Sequence, residues 1–112
     1  MTQSNGAVAL RFIAGRFRGG ELPLARDGEI LIGRDGSLEV VLDEEGVSRQ
    51  HARITTHAGH VHIRDLASTN GTFVNGQRID SMELKLGDKI LIGRSIMMLV
   101  PDPGGAPPDA LQ

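Results

Sequence analysis

The 112-residue sequence contains no cysteine, no tryptophan and no tyrosine, and only three phenylalanines. Without cysteine there are neither disulfides nor thiolate metal sites, which fits a cytoplasmic protein. Aromatics at 3% leave no stacking platform for single-stranded nucleic acid and no cage for a quaternary ammonium. Positive charge is not in excess either: 12 Lys and Arg stand against 14 Asp and Glu, a formal net charge of −2 at pH 7. Duplex binders draw most of their affinity from phosphate contacts and carry a basic balance, so nucleic acid is not an expected partner. No apolar run approaches the roughly 20 residues that cross a bilayer, and residues 1–5 are polar rather than basic and then apolar. Neither a membrane association nor a secretory signal is expected.

What remains is one soluble domain with a single core, at 39% hydrophobic and 23% charged residues. Its apolar residues recur at period two in short runs. Residues 7–13 (AVALRFI) alternate around Val8, Leu10 and Phe12, and residues 21–24 return after the glycine-rich turn 15–20. Further strands are predicted over 29–33, 38–42, 52–57, 60–66, 72–74, 77–79, 82–86, 89–92 and 95–100. Between 52 and 63, Ala52, Ile54, Thr56, Val61 and Ile63 share an inward face. His51, Arg53, Thr55, His57, His60, His62 and Arg64 fall outward. Asn75-Gly76 predicts a two-residue hairpin turn. No 3.6-residue period persists for the dozen residues that a helix needs. Ten or eleven short strands with turns every 8–12 residues predict an all-β sandwich or barrel over residues 6–100. Residues 1–5 and the Pro/Gly-rich stretch 101–112 are expected to be a disordered start and a disordered tail or linker.

Polar residues gather at the predicted strand ends. Arg34 follows Gly33, Ser48 and Arg49 precede a strand, and Thr69 and Asn70 sit before Gly71. A phosphorylated side chain carries roughly −1.5 to −2 charges and three acceptor oxygens. An arginine fork meets those oxygens in pairs, and hydroxyls and turn N–H groups add directional bonds. Arg34, Ser48, Arg49 and Thr69 are the residue types that such a pocket requires, although spacing alone does not bring them together.

Gly33-Arg34, then Ser48-x-x-His51, then Ser68-Thr69-Asn70-Gly71-Thr72-x-x-Asn75-Gly76 resembles the forkhead-associated (FHA) domain signature in order and separation. Leu86-Gly87-Asp88-x-Ile90-x-Ile92-Gly93 is similar to the closing segment of that family. The resemblance implies an eleven-stranded β-sandwich whose loops at one end bind phosphothreonine in an extended peptide. It implies that Arg34 and Ser48 contact the phosphate, that Arg49 and Thr69 add contacts, and that Asn70 holds the peptide backbone. His51 would support the loop, and Gly33, Gly71, Asn75 and Gly76 would shape turns. Glu44 and Glu45, just before Ser48, are expected to disfavour acidic residues near the phosphothreonine.

The expected function is a non-catalytic, phosphothreonine-dependent protein-binding module of Ser/Thr kinase signalling, with no cofactor. Its partners would be threonine-phosphorylated segments, in trans or in cis. Two alternatives share the same residues: an assembly module that ignores phosphate, and a switch that binds a phosphorylated segment of its own chain. Ser48, His51 and Asp65 do not read as a hydrolytic triad, because Ser48 lacks a G-x-S-x-G elbow. The turn 15–20 lacks the Gly-Lys-Ser/Thr ending of a nucleotide-phosphate loop. His57, His60 and His62 could meet on one hairpin around zinc or nickel, but no supporting carboxylate is apparent and no metal site is expected.

Overall fold

A computed structural model describes residues 7–102. In chain order it contains β1 (Val8–Ala14), β2 (Glu21–Leu24), β3 (Gly28–Gly33), β4 (Val40–Val41), β5 (Ala52–His57) and β6 (His60–Asp65). These are followed by β7 (Thr72–Val74), β8 (Gln77–Ile79), β9 (Ser81–Leu84), β10 (Lys89–Ile92) and β11 (Ser95–Pro101). The strands form two sheets, one of six in the order β2-β1-β11-β10-β7-β8 and one of five in the order β4-β3-β5-β6-β9. The fold is therefore an all-β sandwich of eleven strands. Among the described residues no helix is long and apolar enough to cross a membrane.

Alternation fixes which face of each strand is buried. In β5 and β6, Ala52, Ile54, Val61 and Ile63 point between the sheets while Arg53, His60, His62 and Arg64 point away. Leu10, Ile90, Ile92, Met97 and Leu99 fill the same interior from the six-stranded sheet. A one-residue slip would turn each set to solvent, so the apolar pattern holds the register. Asn75 and Gly76 take φ values of 52° and 85°, the left-handed pair that joins β7 tightly to β8.

Three stretches differ from the sequence expectation. The run 38–42 yields only a two-residue strand, and that strand pairs in parallel with β3. Leu38 N–H instead closes a turn onto the Asp35 carbonyl, and the Glu39 carboxylate accepts the Leu31 N–H at 2.8 Å where a neighbouring strand would otherwise do so. The run 82–86 shifts to β9, because both oxygens of the Asp88 carboxylate are engaged at the following turn and Leu86 is left 58% exposed. At the end of the described residues, Pro101 still pairs with Val8, and the Asp102 N–H reaches the Ala7 carbonyl. Proline at the last ladder position removes no bond that the sheet needs. The expectations for residues 1–5 and for 103–112 lie outside the described residues.

Candidate functional site

The β3–β4, β4–β5 and β6–β7 loops leave the sandwich at one end and are bonded to one another there. Ser48 stands at their junction. Its carbonyl accepts the Arg34 N–H at 3.0 Å, its Oγ accepts the Thr69 N–H at 3.0 Å, and its own N–H donates to His51 Nδ1 at 3.1 Å. The hydroxyl proton has no acceptor among the described residues, so it is available to a group outside the fold. Beside it, the Asp35 N–H donates to the Arg49 carbonyl at 3.2 Å. The Asn70 amide donates to the Gly46 carbonyl at 2.9 Å, which leaves Oδ1 free to accept. Arg34, Ser48, Arg49, Thr69 and Asn70 are thus brought to one end of the molecule.

The charged side chains at this end are exposed. Arg34 makes no ion pair among the described residues, and Arg49 lies 4.0 Å from Asp35 with its side chain 79% exposed. Bonds from the Ser37 N–H and hydroxyl hold the Asp35 carboxyl below its ordinary value, with a smaller contribution from Arg49. Two exposed arginines and one carboxylate thus belong to the loops that Ser48 joins.

Gly33 is needed for a close approach. A Cβ built there would lie 2.2 Å from the Arg49 carbonyl oxygen, which is backbone and cannot swing aside. Gly71 has a φ of 95°, and a Cβ there would press on the Arg78 side chain at 2.8 Å. His51 is fully buried, not outward as alternation suggested. It precedes β5, and its Nε2–H donates to the Gly71 carbonyl at 2.9 Å, so one imidazole ties the β4–β5 loop to the β6–β7 loop. Asn75 and Gly76 do not reach the site. They lie at the other end of β7, where the Asn75 side chain binds Asp88 and the Lys89 N–H.

Sequence reasoning missed the anchor of the β6–β7 loop. One Asp65 oxygen accepts the Ser68 and Thr72 hydroxyls at 2.5 and 2.7 Å, and the other accepts the Ser68 N–H at 3.1 Å. Ser68 Oγ in turn accepts the Gly71 N–H at 2.9 Å. Burial would raise the Asp65 carboxyl, but the Ser68 and Thr72 bonds outweigh it and hold the group below its ordinary value. An acidic residue at a strand end with serine three residues on is the local signal for such a turn.

Glu44 has partners that sequence spacing does not show. Its carboxylate accepts the Arg94 N–H at 2.8 Å and the Ser95 hydroxyl at 2.6 Å, latching the β4–β5 loop to the β10–β11 turn. Glu45 shares a groove of about 260 Å3 with Arg94, Asn70, Gly71, Phe73 and Leu91.

The histidine hairpin is elsewhere, at the opposite end of β5 and β6. His57 does face His60, but carboxylates are present: His60 lies 2.9 Å from Glu83 and His57 lies 3.5 Å from Asp27. Among the described residues no three ligating side chains are placed to hold a metal.

Comparison with known proteins agrees with this architecture. The sequence profile of the FHA domain matches residues 30–93. An ABC transporter ATP-binding/permease protein of Mycobacterium tuberculosis is 45% identical over 74 residues, which is 66% of this chain and 8% of the transporter. The chain spans less than half the length of the curated relatives it matches. The FHA domain of a Chlamydia trachomatis protein superposes with a TM-score of 0.81 at 29% identity, covering 87% of this chain and 99% of that one. A second FHA domain, solved in a study of phosphothreonine-dependent FHA interactions, gives 0.77 at 34% identity over 87% of this chain and 98% of its own.

Proposed function

The chain belongs to the FHA domain family, and we propose that it is a non-catalytic module that recognises phosphothreonine in extended segments of other proteins in the cytoplasm. The bonding of Ser48 carries this reading: every backbone group and the hydroxyl oxygen are engaged, and only the hydroxyl proton is without a partner among the described residues. A site preorganised in this way meets an anion without rearrangement. The Arg34 fork grips two phosphate oxygens and the Ser48 hydroxyl donates to a third. Arg49 and Thr69 add donors around them, and Asn70 Oδ1 accepts a peptide N–H beside the phosphothreonine. The phosphothreonine-dependent interactions described for the FHA domain at 34% identity support the choice of ligand.

The same geometry speaks for binding over catalysis. His51 directs one nitrogen to the Ser48 backbone N–H and the other to the Gly71 carbonyl, so neither is aimed at the Ser48 hydroxyl. A nucleophile–base contact is the first requirement of hydrolysis by a Ser-His pair. An assembly scaffold indifferent to phosphate has no use for a Ser48 hydroxyl proton and an Arg34 side chain that are both left without partners among the described residues.

Calorimetric titration with one peptide in phosphorylated and unphosphorylated form tests the proposal. The phosphothreonine form should bind in the micromolar range, about −8 kcal/mol, and the unphosphorylated form should not bind measurably. Equal binding of both forms, or of neither, would overturn it.

A further inference from the structure

The two sheets differ on their outer faces. Outward positions of β5 and β6 carry Arg53, Thr55, His62 and Arg64, as expected of a sandwich face in water. By contrast, β11 is apolar on both sides. Met97 and Leu99 point inward at 0% and 2% exposure, while Ile96, Met98 and Val100 point outward and are half-buried, beside Leu91 at 37% exposure. Register extends this apolar surface across the sheet. Ile96 pairs with Leu91, and Leu91 pairs with Phe73, in one row at the end that bears the binding loops. Phe73 and Leu91 also floor the groove against Asn70 and Gly71, so the row begins where the loop site ends.

The unpaired charge at its margin is mostly positive: Glu45 also lines the groove, and Arg11 beside Met98 is paired with Glu21 at 3.0 Å. Arg78 is the cross-strand neighbour of Phe73, Lys89 is that of Met98, and Arg94 closes the groove. Among the described residues none of these three lies within ion-pair distance of a carboxylate. Two copies of the chain placed face to face would bring these three cations together against Glu45 as the one unpaired carboxylate of the groove among the described residues, which disfavours self-association.

We propose that this face, from Phe73 across Leu91 and Ile96 to Met98, seats a second stretch of the same phosphorylated partner segment. That stretch is apolar at its centre and acidic at its edges. The inference rests on the phosphothreonine reading and extends it: the domain reads the phosphate at the loops and an apolar-acidic arm on the sheet. Methionine and isoleucine side chains offer the arm an adaptable surface, and the unpaired Arg78 and Lys89 offer its carboxylates partners.

The test uses a synthetic library in which phosphothreonine and four alanines on each side are fixed and eight positions beyond them on either arm are randomised. On one arm, Leu, Ile, Met or Phe should be enriched together with Asp or Glu. A peptide carrying that arm should bind about tenfold tighter than the nine-residue alanine phosphopeptide, the gain from covering one aliphatic side chain. The double variant Ile96→Glu, Met98→Glu should lose that tenfold and keep the affinity for the nine-residue peptide. If the double variant does not fold, Met98→Ser should lose about threefold of the same gain. No enrichment on either arm, an advantage that survives in the variants, or a dimer in sedimentation that Met98→Ser dissociates would overturn the proposal. Failure of the nine-residue phosphopeptide itself to bind would instead strike the phosphothreonine reading.

Discussion

His51 joins Ser48 to Gly71, accepting the Ser48 N–H on Nδ1 at 3.1 Å and donating from Nε2 to the Gly71 carbonyl at 2.9 Å. These contacts fix the neutral tautomer with the proton on Nε2. They also make one buried side chain responsible for the spacing of two loops that carry four of the five candidate binding residues. The candidate site is therefore held from beneath by a side chain that has no exposed surface of its own.

Replacing that group should damage fold and binding together. His51→Ala strands the Ser48 N–H and the Gly71 carbonyl and leaves a cavity, a loss of about 2–4 kcal/mol. Urea unfolding measures the first effect. Peptide titration at a temperature where the variant remains folded measures the second, and affinity should fall at least tenfold.

Gly33 and Gly36 are three residues apart and should respond in opposite ways. A Cβ at Gly33 meets the Arg49 carbonyl oxygen at 2.2 Å, whereas one at Gly36 meets nothing within 4 Å. Gly33→Ala should cost about 2 kcal/mol or more, because one backbone must move against another. Gly36→Ala should be neutral or stabilising by up to about 1 kcal/mol. Thermal unfolding of the pair decides it.

Asp65 should make stability sensitive to acid. Despite burial, the Ser68 and Thr72 bonds keep its carboxyl below the ordinary value in the folded chain. Its contribution is therefore complete above the unfolded value, about pH 3.9, and is lost as pH falls through the lower folded value. Asp65→Asn should be less stable near pH 7 by about 1–3 kcal/mol, since an amide nitrogen cannot accept the bonds that a carboxylate oxygen does. Below pH 4 its stability should fall less steeply than that of the parent, a difference read by unfolding at a series of pH values.

Much of this was legible in the chain, and the exceptions share a cause. Strands β5 and β6 are plain from alternation because one face is buried and the other wet. The same parity misplaced His51, which stands in a loop where period two does not apply. β4 was overestimated because the Glu39 carboxylate, not a strand, accepts the Leu31 N–H, a substitution that periodicity cannot register. The bonds of Glu44 were not legible because its partners, Arg94 and Ser95, lie 50 and 51 residues away. The meeting of Arg34, Ser48 and Thr69 was available only through the family signature, since strand spacing says nothing about which ends coincide.

Arg34 should separate binding from stability. Its side chain is exposed and unpaired among the described residues, so Arg34→Ala should leave the unfolding midpoint nearly unchanged. Phosphopeptide affinity should fall by about 2–5 kcal/mol, because the phosphate loses its main counter-charge. Replacing phosphothreonine by phosphoserine in the peptide removes one methyl group, worth about 0.8 kcal/mol or roughly fourfold if burial alone is at work. A larger discrimination would show that the loops also restrict the threonine conformation.

Amide chemical-shift mapping during titration with a phosphothreonine peptide tests the shared pocket most directly. The N–H signals of Arg34, Ser48, Arg49, Thr69 and Asn70 should move together along one binding curve, while those of the His57–His60 hairpin at the far end stay still. Shifts confined to that hairpin, or loop signals that follow different curves, would contradict a single site built from three loops.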